Sequence, residues 1–235
     1  MPTTMPYEII ELPSVDAFVG KNFIPIEGLQ TFRGVSDAKF DLVPSVGRWR
    51  GPTDQRKAYE QGLLEEFKRK AFGYVERTPT SDWEWLFLGQ HHGLPTRLLD
   101  WSTSPLVALF FALAESEAPE FAIYQANVAD TVPVPMLVSN GVTPFQVNLT
   151  FQVYPTFVAP RVERQGSVFT VHQDPWEPMT SKNTIHKYVF PSSARRDARR
   201  KLRHLGITSS MLMPGLDGLA IDVKFALDLQ YNFNA

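Results

Sequence analysis

Residues 91–104 put His91, His92, Arg97, Asp100, Ser102, Thr103 and Ser104 directly ahead of the apolar run Pro105–Ala112. Each of these side chains can do chemistry. Asp100 lies between Leu99 and Trp101, so it is expected to be substantially buried, and a buried carboxylate needs charged or hydrogen-bonding partners. Arg97, Arg33, a histidine or the free N–H groups of the following helix can supply them. Its plainest role is to tie Arg97 to the turn. Adjacent side chains rarely point the same way, so one histidine of the pair, His92, is chosen as donor or acid–base group. Ser104 is accounted for as a helix cap, which leaves Ser102 and Thr103 free to contact a ligand. No Gly-x-Ser-x-Gly elbow surrounds these hydroxyls, and a serine-hydrolase reading is weak.

These groups must be positioned by the elements around them. "SDWEWLFLGQ" predicts a helix with Ser81 as cap and Glu84 as the acid of a capping box; it delivers Gln90, His91 and His92 at its end. Ser104-Pro105 opens the next helix, because the serine oxygen accepts an orphan N–H and proline needs no partner in the first turn. Apolar residues on both stripes of "LVALFFALA" predict burial on most sides. Upstream, "IIELPSVDAFV" reads as a strand and short helix, "TFRGVSD" as a strand end entering a turn with Gly34 allowing a close approach, and 55–74 as an amphipathic helix. Downstream, "FAIYQANV", "GSVFTVHQ" and "TIHKYVFP" read as strands, and the proline-rich 131–160 as short strands joined by loops. Ser192 or Ser193 is expected to cap a helix ending near Leu205. A short element, a turn and a terminal helix aligning Leu216, Leu219, Ala220, Val223 and Leu227 close the chain. The expected fold is α+β: a single compact domain with a small sheet flanked by helices, spanning 8–225, with 226–235 as a tail.

Composition narrows the function classes. With 235 residues, 43% hydrophobic and 20% charged, the chain fits a globular domain. It has no cysteine, which removes thiolate catalysis, disulfides and cysteine-based zinc sites, and its five histidines lack metal-site spacing, so no metal is expected. No secretion signal or membrane-spanning run is recognised, and cytoplasmic residence is the expectation. The net charge of −2 is segregated: six Lys/Arg against Asp197 give residues 191–205 a local +5. In that helix Arg195, Arg196, Arg199, Arg200 and Arg203 form a basic stripe. It reads either as a solvated face or as a contact for a phosphate backbone or an acidic partner protein.

"TFRGVSDAKFDLVPSVGR" and "LGQHHGLPTRLLDWSTSPLVALFFA", with "ERQGSVFTVH" and "GITSSMLMPGLDGLA", resemble the FRG domain, a bacterial domain named for a Phe-Arg-Gly triplet, here Phe32-Arg33-Gly34. More distantly, that triplet and Ser102-Thr103-Ser104 resemble mono-ADP-ribosyltransferases of the arginine–serine–glutamate type. That resemblance implies an ADP-ribosyltransferase-like fold with NAD as cofactor and an unidentified protein or nucleic-acid acceptor. It implies that Arg33 grips phosphate through its planar guanidinium. Ser102, Thr103 and Gln165 contact ribose or carboxamide, together with His92. Glu163 or Asp100 stabilises the ribose cation as the glycosidic bond breaks. The departure is Gln165, which stands where the family has its catalytic glutamate and has no charge to give. Two functions are therefore carried forward: NAD-dependent ADP-ribosyl transfer or NAD cleavage, and a non-enzymatic nucleic-acid or protein-binding module using helix 193–205. The first predicts that Arg33, His92 and Asp100 line a narrow common cavity; the second predicts a continuous basic surface and no such cavity.

Overall fold

Ser81 and Ser104 open the two helices that frame the polar stretch, as their cap positions require. A computed structural model describes residues 7–22, 30–127, 131–155, 164–179 and 185–231. Helix α3, Asp82–His91, begins where Ser81 Oγ accepts from the Glu84 N–H at 3.3 Å. The capping box closes one residue early, because the Glu84 carboxylate takes the N–H and hydroxyl of Thr80 instead of Ser81. Helix α4, Pro105–Ala112, starts with Pro105 in its first turn and Ser104 Oγ accepting from Val107 N–H. Upstream stand β1 (Glu8–Glu11), α1 (Val15–Asn22), β2 (Gln30–Val35) and α2 (Arg56–Ala71). Strand β3, Leu98–Ser102, lies between α3 and α4.

After α4 come β4 (Glu120–Asn127), α5 (Val134–Ser139), β5 (Phe151–Val153), β6 (Ser167–Val171) and β7 (Ile185–Pro191). Three helices follow: α6 (Arg195–His204), α7 (Ser209–Leu212) and α8 (Leu216–Tyr231). Two local expectations are corrected. Residues 134–139 are helical, because Pro133 and Pro135 sit at a helix start, where a missing N–H is harmless. Helix α6 has no serine cap; a 3₁₀ turn over Ser192–Ala194 leads into it.

The described strands form one mixed sheet of seven in the order β1-β7-β4-β2-β3-β6-β5. Only the β1–β7 pair at one edge is parallel. This is the expected mixed single-sheet class. The face bearing Phe32, Ile123, Tyr188 and Phe190 is covered by α1, α4 and α6, and further along, Leu98, Phe169 and Val171 are covered by α2, α3 and α5. The other face packs Leu99, Trp101, Tyr124 and Ile185 against Leu42 and Met179. Residue type explains the closest contact: a β-carbon on Gly34 would stand 1.8 Å from the Ala108 carbonyl oxygen, so only glycine lets α4 lie on β2.

The sheet has a weak seam at its centre. β2 and β4 pair along six residues, whereas β2 and β3 register at Phe32↔Ser102 alone. A gap in the ladder therefore opens beside Arg33. Helix α8 runs across the boundary expected at 225/226, and its Leu216, Leu219, Val223 and Leu227 face solvent.

Candidate functional site

Arg33 meets Asp100 at this seam. Strand alternation puts Leu98, Asp100 and Ser102 on the helical face with Phe32, and puts Arg33 on the opposite face beside Tyr124. Yet Arg33 Nη1 donates to the Asp100 carbonyl at 2.7 Å and lies 3.6 Å from its carboxylate. The side chain thus reaches across the gap between β2 and β3, and its guanidinium takes the carbonyl that a continuous ladder would have paired. Its Nε is buried with no protein partner. Burial pulls the Arg33 pKa below the ordinary guanidinium value, opposed by Asp100 and reinforced by Arg48.

Asp100 departs from expectation. Its side chain is 52% exposed, because it lies between the helices that cover the two ends of this face. Its partners are Arg33 and Gln90, whose Nε2 donates to Asp100 Oδ2 at 2.7 Å. Gln90 is held in turn: its Oε1 accepts from Thr96 Oγ1 at 2.6 Å, and the Thr96 N–H donates to Ser45 Oγ. Helix α3 thus reaches the site through Gln90. His92 caps the end of α3, is exposed, and meets the edge of His91 with ring centres 5.0 Å apart; no contact joins it to Arg33 or Asp100, so of the three residues expected to share one cavity only Arg33 and Asp100 are brought together. Gln90 and His92 are two positions apart, about 200° around a helix, so Gln90 faces inward and His92 does not.

Arg97 is not the partner of Asp100. It forms a buried bidentate pair with Glu60, at 2.7 and 2.5 Å, and donates to the His172 carbonyl. Arg97 precedes β3 and turns to α2, whereas Asp100 lies within the strand and meets α3 and Arg33.

The hydroxyls are largely committed. Ser102 Oγ donates to the Gln165 carbonyl at 2.7 Å and accepts from Ser104 N–H, holding the turn into α4. Thr103 is exposed, and its N–H donates to the Gly166 carbonyl. Gln165 Nε2 donates to the Leu212 carbonyl, so its amide is drawn toward α7. Ser102, Thr103 and Gln165 are one cluster at the end of β3, two residues along from Asp100. Glu163 lies outside the described residues. Among the described residues, no group of three or more His, Asp or Glu is placed to hold a metal.

Beneath this cluster, Trp101 Nε1 donates to Thr170 Oγ1, which also shares a hydrogen bond of 3.0 Å with His172 Nε2. Burial first, then the charges of Arg33 and Arg97, push the His172 pKa down to about 3. An unfolded histidine takes up its proton near 6.5 and the folded one does not, so stability falls as pH drops below 6.5. From pH 7.5 to 5.0 this one group is expected to remove about 2 kcal/mol. Urea titrations of wild type and His172→Gln should differ in pH slope by that amount; parallel slopes would remove the assignment. His172 was not among the sequence candidates, since nothing in "TVHQ" marks a histidine as buried beside two arginines.

The basic stripe of α6 divides on folding. Arg195 is buried and donates to the carbonyls of Ala112, Ala114 and Ser36. Arg199 donates to the Leu113 carbonyl, so the two side chains together close the carbonyl end of α4, where cations are favoured. Arg203 is exposed and donates to the Asp222 carbonyl; Arg196 and Arg200 are exposed on the outer face. The continuous five-arginine surface is not formed, because the carbonyl end of α4 engages Arg195 and Arg199, while Arg203, one turn further along, lies beyond it.

No described helix is long and apolar enough to cross a membrane. No curated protein and no solved structure matches the chain. A family model described as the FRG domain matches residues 29–120, a stretch that includes Phe32-Arg33-Gly34, Gln90 and Asp100.

Proposed function

We propose that this chain, whose match to the FRG-domain model over residues 29–120 includes Arg33 and Asp100, cleaves NAD and transfers the ADP-ribosyl group to water or a macromolecular acceptor, on an ADP-ribosyltransferase-like scaffold. The observation that carries this reading is the meeting of a guanidinium and a half-exposed carboxylate where the sheet ladder is interrupted. Arg33 has donors beyond those spent on Asp100, and a planar guanidinium grips phosphate through two bonds. Asp100, held by Gln90 through one oxygen, turns its negative charge toward the ribose. As the glycosidic bond breaks, its electron pair leaves with nicotinamide, and the carboxylate stabilises the ribose cation until a nucleophile attacks. Glu163 is the other carboxylate for that role. Ser102, Thr103 and Gln165 shape the neighbouring end of β3, while His92, directed outward, contacts an acceptor and not the dinucleotide.

The test uses NAD labelled in the ADP-ribosyl part, with and without cell extract. Wild type is expected to release nicotinamide, and folded Arg33→Ala and Asp100→Asn variants to lose about 100-fold or more of that rate. Intact NAD after incubation with folded wild type and extract would overturn the reading. The binding-module account would then be favoured, resting on Arg196, Arg200 and Arg203 and read as nucleic-acid affinity that falls with added salt.

A further inference from the structure

A cavity of about 550 Å³ lies between the C-terminal end of α4 and helices α6, α7 and α8. Helix α4 is about 12 Å long at 1.5 Å per residue, and the Ser102–Ser104 turn stands at its other end. The cavity is therefore separate from the Arg33–Asp100 seam, and nothing argued for that seam depends on it. Its size is that of a small-molecule site, and its composition also fits one: a mainly apolar wall with a few polar groups.

The apolar wall comes from Phe110, Leu202, Ile207, Met213, Ile221 and Phe225. Three carboxylates and three cations also line the cavity. Two of the carboxylates are already engaged. Glu115 pairs with Lys224 at 3.2 Å. Asp222 accepts the Ser209 and Ser210 N–H groups at the start of α7, and despite burial acting upward these bonds hold its pKa below the usual carboxylate range. Arg199 and Arg203, one helical turn apart, donate instead to the neutral carbonyls of Leu113 and Asp222. Arg199 is thereby satisfied at the carbonyl end of α4, whereas Arg203, exposed and bound through one nitrogen to a single carbonyl, keeps donors for an anion. Asp228, on the outer turn of α8, is the remaining carboxylate.

We infer that this cavity binds a small amphiphile with an apolar acyl or aryl body and an anionic carboxylate or phosphate head. The body lies against Phe110, Ile221 and Phe225, and the head meets Arg203.

The experiment is calorimetric titration of the full chain with three probes of equal chain length, below their micelle concentrations: decanoate, decyl phosphate and decyltrimethylammonium. Decanol is the uncharged control. One molecule of decanoate or decyl phosphate per chain is expected, the tighter of the two identifying the head, with decanol weaker by about tenfold and the cationic probe weaker still. Ile221→Trp, which fills the cavity, is expected to abolish anion binding. Arg203→Gln is the second variant, in case the tryptophan disturbs folding. It is expected to weaken decanoate about tenfold and leave decanol unchanged. No binding by either anion, equal affinity for all four probes, or anion binding indifferent to both variants in folded protein would overturn the assignment.

Discussion

Replacing Glu60 by glutamine is expected to destabilise the fold by about 3–5 kcal/mol, seen as a lower urea midpoint at unchanged slope. Both partners of the Glu60–Arg97 pair are buried, with side-chain exposures of 3% and 7%. Their attraction is balanced in large part by lost hydration, so the pair adds little by itself; removing one member leaves a buried charge without compensation. Arg97 also donates to the His172 carbonyl and lies over the Phe145 ring, so the damage spreads to the β6 end of the sheet. The double change Glu60→Leu/Arg97→Met separates the two effects, since replacing both charges with apolar groups is expected to recover most of the loss. A cost below about 1 kcal/mol for the single change would mean that water reaches the pair and that it is not a buried anchor.

Gly34→Ala is the second large effect, with an expected loss of about 3 kcal/mol or more. The added carbon would meet the Ala108 oxygen at 1.8 Å and the Ala112 nitrogen at 2.6 Å, both backbone atoms of α4. A side chain can rotate out of such a clash, but a helix backbone moves only as a unit, lifting Leu109 and Ala112 from the core they share with Phe32. The same displacement strains Arg33, the neighbouring residue. Thermal melting read beside NAD cleavage distinguishes these consequences: both are expected to fall. A variant with wild-type melting would show that α4 does not rest on β2.

The contrast between Gly34 and Asp100 shows how much of the site can be read from sequence. Gly34 was recognisable as a place of close approach, although its identity does not say what approaches; the answer is the Ala108 carbonyl, 74 positions away. Capping chemistry is local, and so Ser81, Ser104 and Pro105 mark their helix starts correctly. Proline is local but ambiguous, which is why Pro133 and Pro135 suggest loops where they open a helix. For Asp100 the apolar neighbours argue for burial, while the packing of α3 and α4 over the same face leaves it half open.

Partner choice is the least legible property. Arg97 is three residues from Asp100 and pairs with Glu60; Arg33 is 67 residues away and meets it. Gln90 stood within the recognised segment, yet its helical position selects it over His92 as the group that holds the carboxylate. The five arginines of α6 are equivalent by composition, and only contact with the end of α4 separates Arg195 and Arg199 from the rest.

The chain by itself thus determines most of its strands, the capped starts of α3 and α4, its freedom from cysteine chemistry and the segments that carry polar groups, because these depend on neighbours within a turn or two of backbone. Tertiary structure alone decides which charges face one another, which hydroxyls are consumed and where the ladder opens. Those outcomes depend on strand order and on the lateral packing of helices, and both join residues that sequence proximity does not connect.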